Sequence, residues 1–342
     1  MLAHVTYSLL ILLAGLGVVS AFHPPELQRF EFSEPHMGTT FRIVLYAADE
    51  ATAKKAAKAA FARIAELNAI MSDYQPTSEL MKLCEKAGSP PVQVSADLFD
   101  VLRKADEISR ITDGAFDVSI GPVVRLWRKA KRSRELPKAD DIKKALDRVD
   151  FRKIRLDSKG RTVQLLLAGM LLDLGGIAKG YAADAALAVL RQHGITRALV
   201  AAGGDIAVGD APPDAPAWRI GIAPLRNPGA EPTHYLALKN AGVSTAGDSE
   251  QFAEIEGKRY SHIIDPKTGY GVVGRRSVTV IAPNATTSDA FDTPICVLGI
   301  ERGLKLIESR DDLAALLVFE TDKGIETIPS NRFANYLWKD TK

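Results

Sequence analysis

From Ala198 onward the chain is a succession of short β-type runs: Ala198 to Ala202, Trp218 to Ala223, Tyr235 to Leu238, Tyr260 to Ile264 and Ser277 to Ile281. Parallel strands need a crossover of a dozen or more residues, usually a helix. The order here lacks that βαβ rhythm. It points to an α+β fold with mixed, largely antiparallel sheets flanked by helices, and away from a doubly wound sheet.

The first half supplies most of the helices. Thr40 to Tyr46 is β-branched and aromatic and reads as a strand. Ala51 to Met71 carries Ala60, Phe61, Ile64, Leu67 and Met71 at three-to-four spacing, the pattern of an amphipathic helix. Ser95 is a natural N-cap for a helix over Ala96 to Ile111, and Asp113-Gly114 stops it. Lys129 to Lys144 is dense in charge and reads as a solvated excursion. Ile154 to Leu156 and Val163 to Leu167 form a hairpin pair. Ala178 to His193 is helical with Gly194 at its end. Helices from about Ser288 and over Gly303 to Glu308, then strands at Ala314 to Glu320 and Ile325 to Ile328, close the chain. No repeat and no Ser- or Pro-rich linker divides it, so residues 22–342 read as one domain.

Val5 to Val19 is uncharged, about the length of a signal-peptide core and short for a membrane span. Val19-Ser20-Ala21 supplies small residues for a peptidase. Residues 1–21 are therefore expected to be an export signal or an N-terminal anchor, and no cysteine follows for a lipid. Lys+Arg is 44 and Asp+Glu is 42, a net charge of +2, which argues against a nucleic-acid protein working through a basic field. Cys84 and Cys296 are too few and too far apart for a zinc site, and read as two small buried hydrophobes. The histidines show no HxH or HExxH spacing.

Four segments carry chemistry. DLGGIAKGYAAD, Asp173 to Asp184, places a glycine pair before a helix, where backbone N–H groups reach an anion, or simply make a tight turn. It is neither GxGxxG nor a P-loop. AGGD, Ala202 to Asp205, suits close approach to a ligand, but reads more readily as a plain turn. YSHIIDPKTG runs His262 into a polar turn where a base or a phosphate contact is reachable, although a lone strand histidine is more often structural. TTSDAFDT, Thr286 to Thr293, marks a helix start on which Asp289 and Thr293 are four apart on one face. A carboxylate and a hydroxyl so placed can share a hard cation, or remain a capped helix with a solvated acid.

Taken together, the segments resemble one family, the ApbE-like FAD:protein FMN transferases. The pieces stand in the family's order: MGT at Met37, SDY at Ser72, DGAFDVSIGP at Asp113, DLGGIAKGYAAD, AGGD, STAGD at Ser244, HIIDPKTG, and TTSDAFDTPICVLG. The resemblance covers about Phe32 to Trp338. It implies an enzyme that moves the FMN half of FAD, its substrate, onto a threonine hydroxyl of an acceptor protein and releases AMP. It further implies Mg²⁺ held by Asp289 and Thr293 with the backbone carbonyl of Ala178, and Asp292 within reach. Met37, Tyr74, Ala115, Phe116, Asp117, Asp173, Lys179, Tyr181, His262 and Ile263 match positions that line the FAD pocket. Tyr74 and Phe116 would be stacking faces and Lys179 a phosphate contact. His262 is the expected proton acceptor, with Asp248 a rival. The acceptor in such a family is a redox membrane subunit, so the protein is expected in the periplasm or at the outer face of the inner membrane. FAD pyrophosphatase activity and non-catalytic FAD binding are the alternatives. Pro294 departs from the family pattern, and is expected to kink or shorten the helix that carries the metal pair.

Overall fold

Phe41, Ile43 and Leu45 alternate with Val44 along one strand, yet all four are buried. A strand buried on both faces belongs in the middle of a sandwich of layers. The computed structural model describes residues 26–227, 229–247, 252–255 and 257–339. In it that strand, β2 (Thr39–Ala47), follows β1 (Gln28–His36) in an eight-stranded sheet. The others are β3 (Ala198–Ala202), β4 (Asp205–Val208), β5 (Ala241–Gly247), β6 (Arg276–Ala282), β7 (Ala314–Thr321) and β8 (Gly324–Pro329). They lie side by side in chain order, and each neighbouring pair is antiparallel. The sheet is a meander with everything else inserted between its strands.

The helices are α1 (Glu50–Met71), α2 (Glu79–Glu85), α3 (Ala96–Ile111), α4 (Gly121–Ser133), α5 (Ala139–Leu146), α6 (Ala178–Gln192) and α7 (Ala285–Glu308). α1, α6 and α7 cover one face of the sheet, sharing a core with Phe41, Ile43 and Leu45. Alanines make this layer thin: Ala53, Ala56, Ala57 and Ala60 of α1 and Ala182, Ala183 and Ala186 of α6 are all buried. The fully buried Phe41, Ile43 and Leu45 contribute roughly 1.5–3 kcal/mol each. On the other face Val44 and Leu199 meet the hairpin of Trp218–Ile222 and His234–Leu238. The fold is thus α+β, as expected from the strand order.

Two insertions frame the site. Phe252–Ile255, Lys258–Ile264 and Gly271–Val273 form a small antiparallel sheet between β5 and β6. Against it pack α4 and α5 through Val123, Trp127, Ala130 and Ala145, and the Trp127 indole N–H donates to the Gly269 carbonyl at 2.7 Å. Residues 131–141 are largely exposed, as their charge implies, but Ala130 and Ile142 are buried and anchor the segment near its two ends. The charges surround a sparse apolar stripe, and that stripe finds its partner more than a hundred residues later.

α7 also departs from expectation. It starts at Ala285, capped by the Asn284 side chain, so Asp289 lies in its second turn. It passes Pro294 without the expected break; the break in helical geometry falls at Gly299, with φ 77°, and divides it into the two helices expected from about Ser288 and over Gly303 to Glu308. Glycine accepts that conformation without a Cβ clash, which makes it the weaker point of the helix. β1, β4 and β5 are strands that the sequence reading passed over; β1 is largely exposed and lacks a hydrophobic run. Residues 1–21 and Asp248 lie outside the described residues.

Candidate active site

The motif segments, far apart in sequence, converge on a cavity of about 1260 Å³ between the main sheet, the small sheet and α4. Met37 and Gly38 form the turn between β1 and β2, both at positive φ (49° and 75°), as a two-residue hairpin of this hand requires. Gly203, at φ 66°, turns β3 into β4, and a Cβ there would lie 3.2 Å from the Thr39 hydroxyl. MGT and AGGD thus form adjoining walls. AGGD is a turn, as its composition suggests, but one that opens onto the cavity.

At the floor, Asp205, Asp289 and Asp292 are buried and each offers an oxygen within 4.8 Å of the others. Lys179 ion-pairs with Asp205, and its Nζ lies 3.8 Å from Oδ1 of Asp289. Oδ2 of Asp289 accepts from the Gly180 N–H at 2.9 Å. The Thr293 hydroxyl donates to Oδ1 of Asp292 at 3.1 Å. Burial, followed by the charge of Asp205, pushes the Asp289 carboxyl up to about 7, against the pull of Lys179. Burial and the charges of Asp289 and Asp205 raise Asp292 well above the ordinary range. Burial opposes the charge on Lys179, but Asp289 and Asp205 outweigh it and hold the ammonium well above its usual value. Three carboxylates against one paired lysine leave the cluster short of positive charge. Its donors are hard oxygens, the set that suits Mg²⁺, Mn²⁺ or Ca²⁺. The residues fit a divalent cation, with Ala178 lining the same floor at the start of α6.

A second polar cluster lines the same cavity. Arg128 of α4 pairs with Asp73 and, at 2.9 Å, with Asp173, and its guanidinium lies 4.1 Å from the ring centre of Tyr74. Asp173 also accepts from the Gly175 N–H at 2.8 Å. Burial and the neighbouring Asp73 charge raise it to about 6. Tyr74 is 74% exposed and offers a free ring face to a planar ligand. Phe116 does not: it is 5% exposed and packed in the main core, its ring against Gly176. Asp117 lines the cavity, but its carboxylate is already engaged: Oδ1 accepts from the Ser119 N–H and hydroxyl, Oδ2 from the Phe151 N–H. Its work is to fix the DGAFD turn. Ala115, Ile263 and Met37 complete the wall, and the exposed His262 of the small sheet lines the cavity beside the buried Ile263 and Ile264.

Tyr181 is the residue that the fold sends elsewhere. Its hydroxyl donates to Asp97 of α3 at 2.9 Å, and it lines a separate cleft of about 640 Å³. Lys179 and Tyr181 are two apart on α6, which places them on different sides of the helix. Conversely, sequence reasoning assigned Asp205 no role. The carboxylate after the glycine pair was the available signal, and a turn explained it equally well. Both cysteines are buried, and no disulfide joins them.

The profile of the ApbE family matches residues 37–317. The chain belongs to the ApbE family. The FAD:protein FMN transferase of Haemophilus influenzae is 32% identical over 333 residues, covering 94% of this chain and 96% of the relative. That of Treponema pallidum is 33% identical over 326 residues, covering 91% and 90%. Among solved structures, the flavin transferase ApbE from Vibrio cholerae superposes with a TM-score of 0.81 at 29% identity, over 91% of this chain and 100% of that one. The ApbE protein of Thermotoga maritima gives 0.82 at 30% identity, with the same coverage.

Proposed function

We propose that this ApbE-family enzyme is an FAD:protein FMN transferase that uses Mg²⁺ and modifies a threonine hydroxyl of its acceptor. The transferase class follows from family membership across most of the chain. The observation that carries the finer reading is the convergence of the buried Asp205–Asp289–Asp292 cluster with His262 on one cavity large enough for a dinucleotide.

In the reaction the threonine oxygen forms a bond to the phosphorus of the FMN half. The anhydride bond to the AMP half breaks, and the hydroxyl proton leaves. Asp289, Asp292, Thr293 and the Ala178 carbonyl would hold the cation, with Asp205 beside them. When bound, it supplies the positive charge that offsets the pyrophosphate oxygens. Tyr74 stacks on a ring of FAD, and Arg128, against the Tyr74 ring, holds the tyrosine in place. The small sheet brings His262 to the acceptor side, where an imidazole nitrogen takes the threonine proton. Lys179 answers the charge of the cluster before it meets any phosphate.

The test is mass spectrometry of a threonine-bearing acceptor peptide incubated with the enzyme, FAD and Mg²⁺. A gain of FMN minus water with AMP released is the expected result. Free FMN and AMP beside an unmodified peptide would replace the transferase reading with hydrolysis.

The uncharged run Val5 to Val19 supports export, with the enzyme in the periplasm or on the outer face of the inner membrane, and an acceptor that is a redox membrane subunit. Cell fractionation with N-terminal sequencing tests that placement.

A further inference from the structure

α6 and α7 each begin without a complete cap, and each is completed by a carboxylate from the other. Ile177 offers no side-chain bond to the first turn of α6. Asp289 of α7 accepts the Gly180 N–H there instead. At the start of α7, the Asn284 side chain accepts only from the Thr287 N–H. Asp184 of α6 accepts from the Ala285 N–H at 2.9 Å, the Thr286 N–H at 2.8 Å and the Thr286 hydroxyl. The first N–H groups of a helix need partners from outside it, and this pair of helices exchanges them.

The exchange fixes a register. Gly180 and Asp184 are one turn apart on α6, as are Ala285 and Asp289 on α7. Two such rungs stop either helix from sliding or rotating against the other. Glycines close the socket: a Cβ at Gly180 would lie 2.3 Å from the Ala285 carbonyl oxygen, and one at Gly242 2.2 Å from the Ala285 nitrogen. Ser288 adds a bond to Ser244 of β5 at 2.8 Å. Asp184 itself lines the smaller cleft, away from the large cavity.

We propose that Asp184 is a positioning residue for the acidic cluster. By seating the first turn of α7 against α6, it holds Asp289 with Oδ2 on Gly180 and Oδ1 turned toward Lys179 and the cavity. Its cation arm rests on the reading of that cluster as the divalent site; its register arm does not.

The experiment compares wild type, Asp184→Ala and Asp184→Asn in two measurements: amide exchange by NMR without metal, and Mn²⁺ affinity by calorimetry. In Asp184→Ala, Gly180 should exchange roughly tenfold faster or more, while amides such as Leu190 and Val200 keep wild-type rates. Mn²⁺ affinity should fall about 10- to 100-fold. Asp184→Asn keeps one accepting oxygen for three donors, so it should show part of both losses. It also decides the matter if the alanine variant does not fold. Unchanged Gly180 exchange, or a uniform acceleration of all slow amides with Mn²⁺ affinity intact, would overturn the proposal. A wild type that binds no Mn²⁺ would remove the cation reading, and Gly180 exchange would still decide the role of Asp184.

Discussion

Lys179 lies against Asp205, with its ammonium also 3.8 Å from Asp289. The pair joins the helix that begins within DLGGIAKG to the strand that begins at the aspartate of AGGD, and places a fixed cation inside the acidic floor of the cavity. An unpaired charge buried at this depth costs several kcal/mol in real proteins. The floor is therefore tolerated through its lysine, its backbone N–H donors, bound protons, or a divalent cation.

Those alternatives give a pH dependence. Asp289 has an ordinary value of 3.8 and is held at about 7 in the fold. Between those values the folded state binds more protons than the unfolded state, so stability contributed by this group is lost as pH rises through the window. The metal-free protein is expected to melt at a lower temperature at about pH 8 than at about pH 5. Mg²⁺ should raise the melting temperature more at the higher pH, where protons no longer compete. Thermal melts with Mg²⁺ or EDTA check this; a Mg²⁺ increment independent of pH would contradict it.

Asp289→Ala is expected to abolish Mg²⁺-dependent turnover while the protein still folds. Calorimetric titration with Mg²⁺ beside a circular dichroism spectrum checks both halves. Full activity of the wild type in EDTA would sink the metal reading.

His262→Ala should slow transfer by about 10² or more, the usual loss of an acid–base group, with FAD affinity retained. Fluorescence titration of FAD beside single-turnover kinetics separates the two effects. If FAD binding collapses instead, His262 is a contact to the substrate and not the proton acceptor.

Gly180→Ala inserts a methyl where the Ala285 carbonyl oxygen is 2.3 Å away and Cβ of Asp289 2.8 Å away. Both neighbours belong to a packed helix, so α6 and α7 must separate. The expected cost is about 1–3 kcal/mol of stability, read from urea denaturation, together with weaker Mg²⁺ binding. A variant as stable as wild type would show that the two helices are less tightly held than their geometry implies.

Arg128→Lys keeps the charge near Asp73 and Asp173 but loses the plane that lies under Tyr74. A compact ammonium cannot bridge two carboxylates and a ring in the same way. KM for FAD should rise about three- to tenfold with kcat little changed, consistent with roughly 1 kcal/mol of lost stacking support. Steady-state kinetics over FAD concentration tests it, and a fall confined to kcat would place Arg128 in the chemistry.

The local elements and the inventory of groups are legible in the order of residues. Period-two and helical spacing mark β2, β3, α1, α3 and α6. Ser95 caps α3 where expected, and Asp113-Gly114 ends it with both residues at positive φ. These are properties of neighbouring residues, so they are legible without the fold. The family's motif order likewise carried the residues of the cavity. Which groups meet depends instead on the packing of the whole fold. Lys179 reaches Asp205 across 26 positions, and Gly180 reaches Asp289 across 109. Neither pairing follows from spacing. The same packing turns Tyr181 toward Asp97 and away from the cavity, and buries Ala130 and Ile142 of a segment that looks solvated by its charge. A helix carries residues to all its sides, and only the partners it packs against determine which side becomes the site.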